Sequence, residues 1–214
     1  MGVDSASISE ARRPAADTSS TVHSYNVRIC HWINVIACVY LVWSGVHIFL
    51  DFPELYWGHT GYRGYPAAFR LEDWGLSWDE AGALGDRRWG RNYHFTVAWV
   101  FLINGLVYVV WNLYSRHFRN RMLASDGSYG TLQKTSYLIL IFVFVPLMIL
   151  TGIAQSPGLT AAIPALLDLF GGRQTARTLH TIGTVALLLF VLVHVLEVAA
   201  AGFFIKVRSM ITGK

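Results

Sequence analysis

Residues 177–197 read RTLHTIGTVALLLFVLVHVLE. Between Arg177 and Glu197 no Asp, Glu, Lys or Arg interrupts the run, and apolar residues continue to position 204. A helix needs about 20 such residues to cross a bilayer, so the stretch predicts a membrane span. Its two histidines, His180 and His194, stand 14 positions apart. At about 100° and 1.5 Å per residue they return to within about 40° of one face, about 21 Å apart along the axis. An ionisable side chain inside a bilayer is costly and marks a functional site by default. Two on one face, near opposite sides of a hydrocarbon core about 30 Å thick, suit two stacked cofactors.

The rest of the chain agrees with a membrane setting. Of its 214 residues 54% are hydrophobic and only 14% charged, against about 25% charged in soluble domains. Three further apolar runs lie at 29–50, 95–114 and 137–153. The predicted helices span about 27–50, 92–114, 135–154 and 178–204. The third is short and carries Pro146, which predicts a kink; the fourth is long enough to tilt. The net charge of +4 forms no basic stripe, which argues against nucleic acid as a partner. Cys30 and Cys38 both lie in the first apolar run. They make neither a disulfide framework nor a CxxCH haem attachment, so any haem is held by ligands alone.

Residues 1–22 are polar and rich in Ser, Ala and Arg. They read as a disordered cytoplasmic tail, with the first span acting as an uncleaved signal. Ten Lys and Arg flank the spans on the side of the termini and seven on the other, all seven Arg. That bias predicts both termini in the cytoplasm of a bacterial inner membrane. The segment 51–91 is then a periplasmic loop with seven acidic residues and Trp57, Trp74, Trp78 and Trp89. It reads either as an interfacial aromatic belt or as a docking platform for a soluble partner. TAAIPALLDLF at 160–170 reads as a short surface amphipathic helix, ended by Gly171 and Gly172.

Five histidines fall in or beside the apolar runs: His31, His47, His94, His180 and His194. A lone one is most simply a hydrogen-bonded packing residue; five across the spans are not. His94 opens the second helix at the periplasmic end and His31 the first at the cytoplasmic end. The pairs expected are His94 with His180 and His31 with His194. The second pair needs helix tilt, or a first helix starting near Ser24, to match depth. His47 lies 16 residues after His31, about 160° round the helix; it is a rival to His94 or a contact for a partner or propionate. His23, His59 and His117 lie in tails and loops.

Arg28, Arg91 and Arg177 each precede one of those histidines by three residues, one turn nearer water on a similar face. Haem propionates face the membrane surface, and arginine binds carboxylates bidentately. The plainer reading is interfacial arginine at helix ends. Gly45 and Gly105 fall on the faces of His31 and His94, each one haem level away. They read as clearance for a macrocycle against the helix backbone, or as small-residue helix packing. The fold class expected is an all-α integral membrane protein, a four-transmembrane-helix bundle over residues 23–210 enclosing two stacked haems.

The Arg28-x-x-His31-Trp32 opening, His94 early in the second helix and His180-x13-His194 resemble the dihaem cytochrome b subunits of bacterial formate dehydrogenases and nickel–iron hydrogenases, the bacterial cytochrome b561 group. PELYWGHTGYRGYP, LQKTSYLILIFVFVPLMILTG, FGGRQTARTLH and RSMITGK look like its thiosulfate-reductase-type branch. That branch is associated with periplasmic molybdopterin oxidoreductases of the sulfite-oxidase type. The resemblance implies two haem b groups, a quinone (ubiquinone or menaquinone) and electron transfer between the quinone pool and such an oxidoreductase. It also places quinone by the cytoplasmic haem, near the start of the third helix. Gln133, Lys134 and Glu197 are the candidate residues there; Glu197 reads equally as an ion pair to Arg28 or Lys134. Histidine on both axial positions closes each iron to oxygen, which favours electron transfer. The alternatives are a standalone superoxide-to-quinone oxidoreductase, which the acidic loop disfavours, a hydrogenase cytochrome b, and a histidine-based metal transporter.

Overall fold

A computed structural model of the chain describes residues 24–115, 135–136 and 138–213. The first helix, α1 (Tyr25–Asp51), is capped by extended Ser24, the early start that was one of two ways to match the depth of His31. After the loop, the second long helix is α3 (Arg87–Tyr114). The third apolar segment contains a π-helical turn, Leu140–Phe144, followed by α4 (Val145–Ile153). Its cause lies next to it. Pro146 has no N–H for the regular ladder, and the Val145 amide reaches back to the Leu140 carbonyl instead. Beside the proline, the helix takes the extra residue as a π turn.

The fourth long helix, α7, runs Arg173–Ala200, and a separate helix α8 follows at Phe203–Thr212. The expected single helix to 204 is therefore divided. Gly202 takes φ 97°, a left-handed turn that ends the helical path. The stretch expected as one surface helix is divided too, into α5 (Pro157–Ala162) and α6 (Ala165–Leu169). Pro164 excludes Ile163 from helical geometry, and Ile163 sits at φ −133°.

Helices α1, α3 and α7 are each long and apolar enough to cross a membrane; Leu140–Ile153 is a shorter apolar helix. Their surfaces invert the rule of soluble proteins. Val39, Leu106, Val110 and Leu192 are more than half exposed, whereas the buried positions are small or polar: Ala37, Ser44, Asn104, Thr151, Ala176 and Thr178. Small residues let helix backbones approach, and polar ones bond across them. Asn104 of α3 shows this, donating to the Cys30 carbonyl at 2.9 Å and to Asn34 Oδ1 at 2.7 Å on α1. Helix α1 packs along α3, and α4 packs along α7.

The end where α1 begins and α7 finishes is here the terminal end; the opposite is the loop end. The loop end carries a small folded cap. Strands β1 (Glu54–Leu55) and β2 (Phe69–Arg70) pair antiparallel, Glu54 opposite Arg70. Helix α2 (Trp78–Leu84) opens with a capping box in which Ser77 and Glu80 satisfy each other's orphan donors. The two bonds from Ser77 hold the Glu80 carboxyl below its ordinary range. Trp78 packs on Phe52 and Trp89 on Trp43, while Trp57 and Trp74 are exposed.

The cap is stitched to α7 by backbone-directed bonds. Arg177 donates to the Glu54 carbonyl at 2.8 Å and also to that of Phe52. Thr178 Oγ1 donates to the Tyr56 carbonyl at 2.6 Å. The Gly58 amide donates to Thr175 Oγ1 at 2.7 Å, and the Gln174 amide to the Gly58 carbonyl at 3.0 Å. Gly172, at φ 121°, caps this helix start; a Cβ there would lie 2.3 Å from the Gly58 carbonyl oxygen. Only glycine fits.

Candidate functional site

Two pairs of imidazoles face each other between the α1–α3 and α4–α7 pairs. At the loop end, His94 of α3 and His180 of α7 have ring centres 6.2 Å apart and planes at 69°. At the terminal end, His31 of α1 and His194 of α7 have centres 6.4 Å apart and planes at 65°. These are the two pairs that spacing predicted. The separations have a chemical meaning. Two ring nitrogens binding one metal from opposite sides at about 2.0 Å each, with about 1.15 Å from nitrogen to ring centre, give about 6.3 Å. Imidazoles in direct contact would stack closer or hydrogen-bond edge to edge.

The donor set selects the kind of metal site. A bare zinc ion takes about four protein ligands, but among the described residues no three His, Cys, Asp or Glu gather to hold a metal ion. Two opposed imidazoles suit a metal whose remaining positions come from a planar macrocycle. The residues thus fit haem.

The surroundings of each ring differ. His194 lies parallel to Phe190, centres 6.3 Å apart. His31 meets Trp32 edge-on at 5.5 Å. His94 Nδ1 lies 3.0 Å from Ser44 Oγ, and His180 Nδ1 lies 3.0 Å from Thr151 Oγ1. Neither hydroxyl was singled out from sequence. His47 does not join His180: its Nδ1 is 3.2 Å from the Leu84 carbonyl, and its ring packs among Trp43 and Trp89.

The arginines have partners that spacing did not foresee. Besides the contacts of Arg177 with the cap, Arg28 Nε donates to the Met210 carbonyl at 3.2 Å, and its guanidinium also reaches the Ile211 carbonyl. Trp32 Nε1 donates to the same Met210 oxygen at 3.2 Å. Together they cap the last turn of α8, where unpaired carbonyls carry partial negative charge. Arg91 is exposed and lines a hollow with Arg87, Arg88 and Asn92. A Cβ on Gly45 would meet His94 Cε1 at 3.6 Å, and one on Gly105 would meet no atom within 4 Å. Glu197 lies on α7 one turn past His194 and is exposed. Gln133 and Lys134 lie outside the described residues, as do His23 and His117.

A helical bundle with long apolar spans and opposed histidine pairs inside it is the architecture of a membrane haem protein. The family model of prokaryotic cytochrome b561 matches residues 22–213, and the chain belongs to that family. It is a multi-pass membrane cytochrome b, carries haem b and serves electron transport. Over 199 residues, covering 83% of this chain and 90% of the relative, it is 29% identical to a provisionally named protein-methionine-sulfoxide reductase subunit, YedZ1, of Azospira oryzae. No solved structure matches it.

Proposed function

We propose that the chain holds two haem b groups one above the other in a four-helix bundle and passes electrons between the quinone pool and a periplasmic molybdopterin oxidoreductase. The two opposed imidazole pairs carry this reading. His94 and His180 would hold the haem at the loop end, His31 and His194 the one at the terminal end. The bound groups supply one-electron redox chemistry; the chain supplies ligands, charge and a dry interior.

The residues do the rest. With a histidine from each helix pair on either side, each haem iron would have no open position for oxygen or substrate. Arginine carries five N–H donors, so Arg28 and Arg177 can serve both their carbonyl partners and a propionate, with exposed Arg91 as the third propionate partner. Gly45 and Gly105 leave room beside the macrocycles.

Both termini are placed in the cytoplasm of a bacterial inner membrane, supported by the bias of Lys and Arg. The folded cap, with exposed Trp57 and Trp74, then faces the periplasm as the docking surface of the soluble partner. The Azospira relative is named as a subunit of a protein-methionine-sulfoxide reductase. That name supports electrons running from quinol to a partner that reduces its substrate. The quinone is assigned to the terminal end, with Glu197 as proton relay and Gln133 or Lys134 as partner of a quinone carbonyl.

A pyridine haemochrome assay on the purified protein tests the central claim. Two haem b per chain are expected. His180→Ala and His94→Ala should each remove one haem, and His31→Ala and His194→Ala the other. One haem or none in the wild type overturns the reading, as does a His94→Ala variant that keeps both while His47→Ala loses one.

A further inference from the structure

The sequence 43–47, WSGVH, and the sequence 150–154, LTGIA, belong to different helix pairs yet do the same thing. In each, a buried hydroxyl residue precedes a glycine, and the two address one histidine on the neighbouring helix. Ser44 is 1% exposed and Thr151 0%. Ser44 Oγ donates to the Tyr40 carbonyl at 2.7 Å, and Thr151 Oγ1 to the Leu147 carbonyl at 2.8 Å. A hydroxyl has a single hydrogen. Once that hydrogen is given to a carbonyl of the same helix, the oxygen faces the imidazole as an acceptor only.

The tautomer of each ring follows. His94 Nδ1 is 3.0 Å from Ser44 Oγ and His180 Nδ1 is 3.0 Å from Thr151 Oγ1, so each Nδ1 carries the hydrogen and donates it. The lone pair of a neutral imidazole is then on Nε2. The following glycines leave the rings room to approach. Their added Cβ atoms would lie 3.6 Å from His94 Cε1 at Gly45 and 3.2 Å from His180 Cε1 at Gly152. The hydroxyl fixes the hydrogen of each ring, and the missing side chain of the glycine lets the ring lie close to the helix.

We propose that Ser44 and Thr151 are positioning residues for the loop-end haem, each accepting the Nδ1–H of one axial histidine and presenting its Nε2 to the iron. The inference rests on the ligand assignment above. A histidine that donates through Nδ1 is a more basic ligand, and partners of this kind are worth about 10–100-fold in metal affinity. More electron density on the ligand also favours the oxidised iron. Serine and threonine bond back to their own helix in many membrane spans. What departs from that habit is the second bond, made at the same distance to both members of one histidine pair.

The test uses the haem-loaded protein in detergent, with two readouts: spectroelectrochemical midpoint potentials and the rate of haem transfer to apomyoglobin. Thr151→Val keeps the shape and removes the acceptor; Thr151→Ser keeps the acceptor and removes a methyl; Ser44→Ala removes the other acceptor. Thr151→Val and Ser44→Ala should raise the potential of one haem only and speed its loss about tenfold, while Thr151→Ser stays close to the wild type. If Thr151→Val costs a haem outright, retention in Thr151→Ser supports the proposal. Equal behaviour of the valine and serine variants, or an equal shift of both haems, overturns it. His94→Ala and His180→Ala separate the two failures. If either keeps both haems, the ligand assignment is wrong; if each loses one while Thr151→Val changes nothing, only the positioning role is.

Discussion

Thr178 Oγ1 donates to the Tyr56 carbonyl across 2.6 Å, joining α7 to a loop residue 122 positions away. Both residues are buried, Thr178 at 2% exposure and Tyr56 at 0%. Thr178→Val would keep the shape and leave that carbonyl without its donor, a loss of about 1–3 kcal/mol. Because the bond ties the cap and not the spans, its loss should appear first as faster proteolysis between 52 and 86. Haem content should stay unchanged. A variant cleaved at the wild-type rate would show that the remaining stitches hold the cap alone.

Arg28 and Trp32 both bond the Met210 carbonyl. Arg28→Ala should therefore loosen α8, by about 1.5 kcal/mol because the arginine is only partly buried. Hydrogen exchange across 203–213 measures it, with about tenfold faster exchange expected. Arg28→Lys should recover little, since a compact ammonium cannot span the Met210 and Ile211 oxygens as a planar fork does. Exchange confined to wild-type rates in the alanine variant would transfer the capping to Trp32.

Burial, and secondarily the bond to Glu54, raises the Tyr56 phenol well above its ordinary value of 10.0. A raised acid is protonated in the folded protein where the unfolded chain has already lost its proton. The folded state then binds more protons, so stability falls as pH rises. The contribution is whole below about pH 10 and is lost progressively above it. Tyr56→Phe removes this dependence. Thermal unfolding of the cap at pH 8 and pH 11 should show a smaller alkaline loss in the phenylalanine variant than in the wild type. Equal losses would assign the alkaline sensitivity to other groups.

The histidine pairs were legible because two strong physical signals coincide in the sequence. Ionisable residues are expensive in a bilayer, and the helical period turns their spacing into a face and a depth. Arg28, Arg91 and Arg177 obeyed the same period, yet the structure gives Arg28 and Arg177 carbonyl partners in α8 and the cap. Local spacing says where a guanidinium sits on its helix and nothing about a carbonyl 182 positions away. Ser44 and Thr151 escaped notice because hydroxyl residues are ordinary in membrane helices; their meaning lies in the facing ring. Pro164 and Gly202 are breakers, overridden by reading TAAIPALLDLF as one amphipathic helix and the fourth apolar run as one span to 204.

Glu197 is the carboxylate nearest the terminal-end histidine pair along α7. It follows His194 by one turn on α7, toward the terminal end, and its side chain is exposed. The alternative to a proton role is an ion pair with Arg28 or Lys134. The Arg28 guanidinium is instead directed at the carbonyls of α8, and Lys134 lies outside the described residues. A carboxylate in an apolar helix is expensive unless it pairs or takes up a proton. Quinol oxidation releases two protons for every two electrons, so the proposed quinone site at the terminal end needs a group that accepts them. Glu197→Gln keeps the size and hydrogen-bonding ends of the side chain but cannot carry a proton. Glu197→Gln and Gln133→Ala should each preserve both haem spectra and slow quinol-dependent haem reduction at least tenfold, a barrier increase of about 1.4 kcal/mol. Stopped-flow reduction by a soluble quinol, followed at the haem α band, reads this directly. Wild-type rates in both variants, with a quinone analogue protecting the 52–86 cap from proteolysis, would move the quinone to the loop end.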